Sequence, residues 1–212
     1  LCYREKGLFD LIEAIALVNN RLRDDGLVKR VQLDVAGKFY LPKEEAEFNE
    51  RINQADLIDD HGSMVIYHGF ADETKKLELF SQADAFSLPS YYSFEAHPVC
   101  LVEAMAHGLP IIATRWRILP ELFPENYAGL VDVKSPEQIA ERIQKFLGCV
   151  DSTDLRNRYL RHFTRKVFGE KVRSALLSTW MGMSIYEQYN ATNGSLEHGV
   201  DQCEDTGVIR AL

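Results

Sequence analysis

Short β-rich runs and amphipathic helical stretches alternate along most of this 212-residue chain. Leu8, Leu11, Ile12, Ile15, Ala16 and Leu22 fall at helical spacing, so residues 7–24 predict an amphipathic helix. VQLDVAG (31–37) predicts a short strand ending at Gly37, and residues 44–58 a polar, exposed helix. MVIYHG (64–69) predicts the next strand, followed by a helix over 72–83 that opens on Asp72 as its cap. Further along, 84–90 predicts a strand, 98–107 a helix closed by Gly108, 110–114 a strand and 119–123 a short helix. A strand over 128–133 and a helix over 135–147, with Ser135 as cap and Pro136 at its first position, complete the pattern. Such alternation dictates an α/β fold, a Rossmann-like doubly wound parallel sheet with helices on both faces. Ligands of such sheets sit at the carboxyl ends of the strands. The loops at 1–6, 37–42, 69–72, 89–98 and 114–118 are therefore the ones that matter.

Residues 151–180 predict one or two basic helices. Beyond Trp180 the periodicity is lost, and 181–212 is expected to be a disordered tail. The two sequons at Asn190 and Asn193 fall in this tail and are read as coincidental. The first residues, LCYREKG, read as the loop after a strand, so the chain is expected to be a fragment that lacks at least one strand upstream. With 46% hydrophobic residues there is enough to bury a core, and a net charge of −8 argues against a general nucleic-acid surface. Cys2, Cys100, Cys149 and Cys203 have neither metal-ligand nor redox spacing and are expected to be reduced thiols of a cytoplasmic protein. The histidines (61, 68, 97, 107, 162 and 198) have no metal-ligand spacing either, so no metal site is expected. No apolar run approaches the roughly 20 residues of a spanning helix.

The stretch FEAHPVCLVEAMAHG (94–108) carries the chemistry. Pro98 suits a helix start, and the free N–H groups of Val99 and Cys100, with the helix dipole, make an anion site suited to a diphosphate. Glu95 precedes this site and Glu103 follows it by about a turn and a half. A carboxylate accepts two hydrogen bonds side by side, which matches a vicinal diol such as a ribose. Either glutamate alone would be read as a solvated surface residue.

The whole pattern resembles the C-terminal donor domain of retaining glycosyltransferases of family 4, which have the two-Rossmann GT-B fold. The resemblance runs from about residue 3 to 180. It rests on an E-x7-E pair at Glu95 and Glu103 followed by EAMAHGLPIIAT, on REKG, on MVIYHGFADETKKLELFSQADAFSLPS, on LPELF and on AGLVDVKSPEQIAERI. What it implies is a nucleotide-sugar-binding domain over 1–180 lacking its first strand. The implied reaction is transfer of a sugar, with retention, from a nucleoside diphosphate sugar to a glycan or lipid-linked acceptor. Under the same resemblance Lys6 pairs with the donor phosphates, Glu103 binds the ribose, and Glu95 lies close to the transferred sugar and its anomeric carbon. His97, Val99 and Cys100 line the phosphate through their backbone, so their side-chain identity matters less, while Gly69 and Phe70 stand where the nucleobase is received. Phe70 either stacks on the base or packs in the core.

Three departures from the family pattern stand out. The family arginine five residues before the lysine is Leu1 here, so that arginine lies upstream, or Arg4 substitutes for it, or the site has one cation fewer. AHPV after Glu95 has no glycine. Arg117 and Ile118 occupy the two positions before the I-P-E-like LPE where the family has glycines. Arg115 and Arg117 are read as solvated.

No cofactor is expected beyond the donor, because Lys6 and the helix start would stabilise the leaving diphosphate in place of a metal. The implied partners are a missing N-terminal acceptor domain and, for the basic 156–173 helix, either packing on that domain or a peripheral contact at the inner face of the membrane. The alternative reading is a non-catalytic nucleotide-binding or interaction domain of the same fold.

Overall fold

The computed structural model describes residues 2–27, 29–147, 153–180 and 208–211. A single 3-10 turn, Arg4–Lys6, leads through Gly7 into α1 (Leu8–Asp24). The apolar stripe of α1, from Leu8 to Leu22, is buried, and it packs against α5 (Pro136–Phe146). β1 (Arg30–Ala36) follows α1. Asn19 ties the two together, its side chain bonding both the N–H and the carbonyl of Val31.

The polar helix is shorter than its sequence suggests. α2 spans Pro42–Ile52 only, with Phe48 as its one buried residue. It stops where Asn53 turns its side-chain amide back onto the Asn49 carbonyl and Arg51 grips Asp56 with two bonds of 2.9 and 3.0 Å. Asparagine competes with the helix for backbone partners in this way. The chain then makes a 3-10 turn (Ala55–Leu57) and a small antiparallel pair, β2 (Ile58–Asp59) and β3 (Gly62–Ser63), before β4 (Val65–Gly69).

α3 (Glu73–Gln82) is capped by Asp72, whose side chain accepts from the Lys75 N–H at 2.8 Å. β5 (Phe86–Leu88) ends at Pro89, and a loop runs to α4 (Val99–Ala106). Next come β6 (Ile111–Thr114), a 3-10 turn over Leu119–Leu122, β7 (Leu130–Val131), α5, α6 (Thr153–His162) and α7 (Arg165–Trp180).

The strands form two parallel three-stranded sheets, ordered β4-β1-β8 and β5-β6-β7. β8 (Val208–Ala211) belongs to the stretch expected to be a tail, and it differs from that expectation by pairing with Arg30–Leu33 of β1. VIRA carries the β-branched residues that a strand beside an open edge favours. Residues 181–207, with both sequons and Cys203, lie outside the described residues, as does Cys149.

Among the described residues the two sheets share no strand pairing. β8 covers β1 as far as Leu33, and Cys2 meets the continuation of the strand at Phe39, its N–H bonded to the Lys38 carbonyl at 2.9 Å. Between these two contacts, residues 34–38 face a cavity of about 490 Å3 whose other walls include Phe86, Ser87 and Leu88 of β5. Five residues of strand correspond to about 17 Å. The buried Ser87 hydroxyl in this gap has no hydrogen-bond partner among the described residues.

Candidate functional site

The turn before α1 and the loop after β5 are locked together. Gly7 has φ +78, and a Cβ there would lie 2.2 Å from the Pro89 carbonyl oxygen. Only glycine permits both that conformation and that approach. The Tyr91 N–H bonds the Glu5 carbonyl at 2.7 Å, and Ser90 Oγ bonds the same oxygen at 3.3 Å. Thr114 Oγ1 donates to the Ser90 carbonyl, and Trp116 Nε1 holds the Tyr92 carbonyl at 2.9 Å.

These ties place Lys6 against Glu95. Lys6 Nζ bonds Oε1 and Oε2 of Glu95 at 2.9 and 2.8 Å and lies 4.8 Å from the centre of the Tyr92 ring. Ser90 Oγ also donates to Glu95 Oε2. Glu95 is only 7% exposed, so these charged bonds form in a low-dielectric pocket where each counts for more than in water.

Glu103 sits on α4 and lines the cavity together with Lys6, Cys100, Phe70, Lys38 and Lys76. Its Oε1 receives Lys76 Nζ at 2.5 Å. Burial, reinforced by the Glu103 carboxylate and opposed by Lys6, pushes the Cys100 thiol up to about 11. Pro98 is the cap of α4 rather than its first helical residue, with ψ 117. The first turn then begins with the Leu101 N–H bonding the Pro98 carbonyl at 3.1 Å, which leaves the N–H groups of Val99 and Cys100 ahead of the helical ladder. That is the donor geometry expected of an anion site.

Phe70 is 67% exposed at the mouth of the cavity, with Lys38 Nζ 5.0 Å from its ring centre, so it does not pack in the core. Gly69, at φ +65, takes the Gly37 N–H at 2.7 Å and turns the chain toward Phe70. The structure therefore brings Lys6, Glu95, Glu103, Cys100 and Phe70 to one end of the strands.

Arg4 goes elsewhere. It pairs with Glu47 of α2, its guanidinium lies 4.1 Å over Phe9, and it is not among the residues that line the cavity. The His97 side chain is exposed and lies 5.7 Å from the Phe163 ring, and that of Val99 is 66% exposed, so both point away from the cavity wall. Arg115 is solvated and pairs with Asp132 at 3.2 Å. Arg117 holds φ +50, the left-handed conformation for which a glycine is better suited.

Sequence reasoning missed Ser90, Lys38 and Lys76. Ser90 stands in the LPS run, which by sequence reads only as a strand end. Lys76 lies 27 residues from Glu103, and nothing in the spacing links them. Among the described residues, no group of three or more His, Cys, Asp or Glu is placed to hold a metal.

A model of the family described as glycosyl transferases group 1 matches residues 2–161. The putative colanic acid biosynthesis glycosyltransferase WcaL of Escherichia coli K12 is 30% identical over 147 residues, covering 67% of this chain and 33% of the relative. The amylovoran biosynthesis glycosyltransferase AmsK of Erwinia amylovora is 33% identical over 107 residues, covering 49% of this chain and 25% of the relative. The chain thus spans between a quarter and a third of the length of these curated relatives. Among solved structures, Anabaena HepE in complex with UDP and glucose superposes with a TM-score of 0.67 at 18% identity, over 84% of this chain and 46% of that one. The C-terminal domain of the group 1 family protein LpcC from Francisella tularensis gives 0.60 at 22%, over 77% and 83%.

Proposed function

The chain belongs to the group 1 glycosyl transferases, with the fold of a GT-B C-terminal domain, and on that premise we propose that it binds the donor of a retaining, family 4-like sugar transfer. In this reading the donor is a nucleoside diphosphate sugar, as the UDP and glucose bound to HepE suggest by analogy. The acceptor is a glycan or lipid-linked sugar, in keeping with the polysaccharide pathways named for the curated relatives.

The observation that carries the reading is the pairing of Lys6 with Glu95 beside Glu103, at the strand ends and next to the start of α4. The donor phosphates draw the Lys6 ammonium from Glu95 and take the N–H groups of Val99 and Cys100, while Glu103 takes the ribose and Phe70 stacks on the base. The bond between the anomeric carbon and the diphosphate oxygen breaks, and its electron pair leaves on the diphosphate, where Lys6 and the helix start stabilise the new charge. The acceptor oxygen bonds to that carbon, and its proton goes to the departing phosphate or to Glu95. Lys6 freed from Glu95 leaves a buried carboxylate facing the transferred sugar. No metal has a role in this scheme.

An N-terminal acceptor domain is part of the proposal. α7 leaves Phe168, Val172 and Leu176 exposed at successive i+4 positions, an apolar stripe suited to such a neighbour. The basic residues of α6 and α7 suit a peripheral contact with an anionic membrane in the cytoplasm. Among the described residues, no helix is long and apolar enough to cross a membrane.

Calorimetry with UDP, GDP and ADP tests the donor site. One diphosphate should bind well and weaken by about 1–3 kcal/mol in both Lys6→Ala and Glu103→Ala. Absence of binding by folded protein would favour an interaction domain of the same fold.

A further inference from the structure

Lys76 and Glu103 come from different helices and meet inside the cavity wall, α3 supplying the ammonium and α4 the carboxylate. Their side chains are 40% and 30% exposed, so the pair contributes little to holding the fold together. What it changes is the chemistry of the wall. A bare carboxylate offers two acceptors side by side, suited to two donating hydroxyls. Here Oε1 already carries the ammonium, and among the described residues Oε2 has no hydrogen-bond partner. The edge presented to the cavity is thus one acceptor beside one cationic donor. A vicinal diol fits this edge when one hydroxyl donates to Oε2 and its neighbour accepts from Nζ, since every hydroxyl can do either.

Resting on the donor-site reading above, we propose that Lys76 is a further donor-binding residue that shares the ribose diol with Glu103 and makes the site select ribonucleotides over 2′-deoxyribonucleotides. A missing 2′-hydroxyl leaves one member of the pair without its partner, and an unpaired polar group in a desolvated site is what rejects an analogue. Without Lys76, Glu103 alone would grip whichever hydroxyl remained, and discrimination would fall.

The experiment measures binding of UDP, GDP and ADP, each beside its 2′-deoxy form, to the wild-type chain and to Lys76→Leu, Lys76→Arg and Glu103→Gln, with circular dichroism confirming that each is folded. The expected result is a ten- to a hundredfold preference for the ribose form in the wild type, roughly the size of one charged hydrogen bond. Lys76→Leu should bind the ribose form roughly tenfold more weakly, with the preference collapsing toward unity, and Lys76→Arg should restore most of it. Equal or tighter binding of the ribose form by Lys76→Leu would overturn the proposal, because Lys76 would then be a counterion that the nucleotide displaces. Unchanged binding by Glu103→Gln, or none by the folded wild type, would instead bring down the donor-site reading on which the proposal rests.

Discussion

Lys6 Nζ holds both oxygens of Glu95, at 2.9 and 2.8 Å, across 89 residues of sequence. Glu95 is nearly enclosed, while the lysine side chain is a quarter exposed. The pair is therefore unequal: removing the lysine strands a buried charge, and removing the carboxylate leaves a cation that water can reach. Lys6→Met should cost about 1–3 kcal/mol of stability, less than a fully buried pair because Ser90 still bonds the carboxylate. Lys6→Met combined with Glu95→Gln should recover most of that loss. Chemical denaturation of the two singles and the double gives the coupling; simple additivity would count against the pairing, and equal losses in the two singles against the asymmetry.

Gly7→Ala tests the lock between the turn and the loop. A methyl 2.2 Å from the Pro89 oxygen, on a left-handed backbone, forces the two apart. Unfolding free energy should fall by about 2 kcal/mol or more, the effect of strain at a special backbone position. Affinity for a nucleoside diphosphate should fall with it, because Lys6 moves with the turn.

Arg117→Gly should act in the opposite direction. Arg117 sits at φ +50, and a side chain in that region costs about 1–2 kcal/mol, part of which glycine returns as added freedom of the unfolded chain. A net gain of about 0.5–1 kcal/mol is expected in the same denaturation assay.

Alkaline pH should destabilise the fold. Burial raises the Cys100 thiol to about 11 from an unfolded value of 9.0, and the Tyr127 hydroxyl to about 12 from 10.0. The folded state holds these protons more tightly than the unfolded chain does. Their stabilisation is complete below about pH 9 and is lost as pH rises from there toward 12, on the order of a few kcal/mol at most for each group. Cys100→Ser should remove the lower part of that slope. The same thiol should resist alkylation at neutral pH until the chain unfolds.

Under the proposed reading, sugar transfer by the full-length protein should survive a chelator. Activity that is lost with chelator and restored by magnesium would require a metal to share the role given to Lys6.

Much of the architecture was legible because strand and helix periods differ so sharply. The apolar positions of α1 from Leu8 to Leu22, and the cap at Asp72, stand in the structure as their spacing implied. Lys6 and Glu95 gather because two local signals, a turn leading into α1 and a strand end before a helix start, converge at one end of the sheet. Pairings between distant side chains had no such signal. Nothing periodic joins Lys76 to Glu103, or sends Arg4 to Glu47 rather than to the cavity. The end of α2 at Ile52 was hidden for a related reason: Asn53 reads as an ordinary polar helix residue until its side chain turns back on the backbone. The β8 pairing was invisible because four residues at the end of a polar stretch have a strand's composition but no neighbouring period to announce it.

The break in the sheet between β1 and β5 bears on how the cleft responds to its occupant. Lys38 and Phe70 stand on the β1–β4 side and Glu95 follows β5, so under the proposed reading a donor lying across the cavity would be gripped by two half-sheets that, among the described residues, share no ladder of hydrogen bonds. The ligand then works as a cross-brace. Binding should stiffen the whole domain, slowing amide exchange in β1 and β5 together, well beyond the residues it touches.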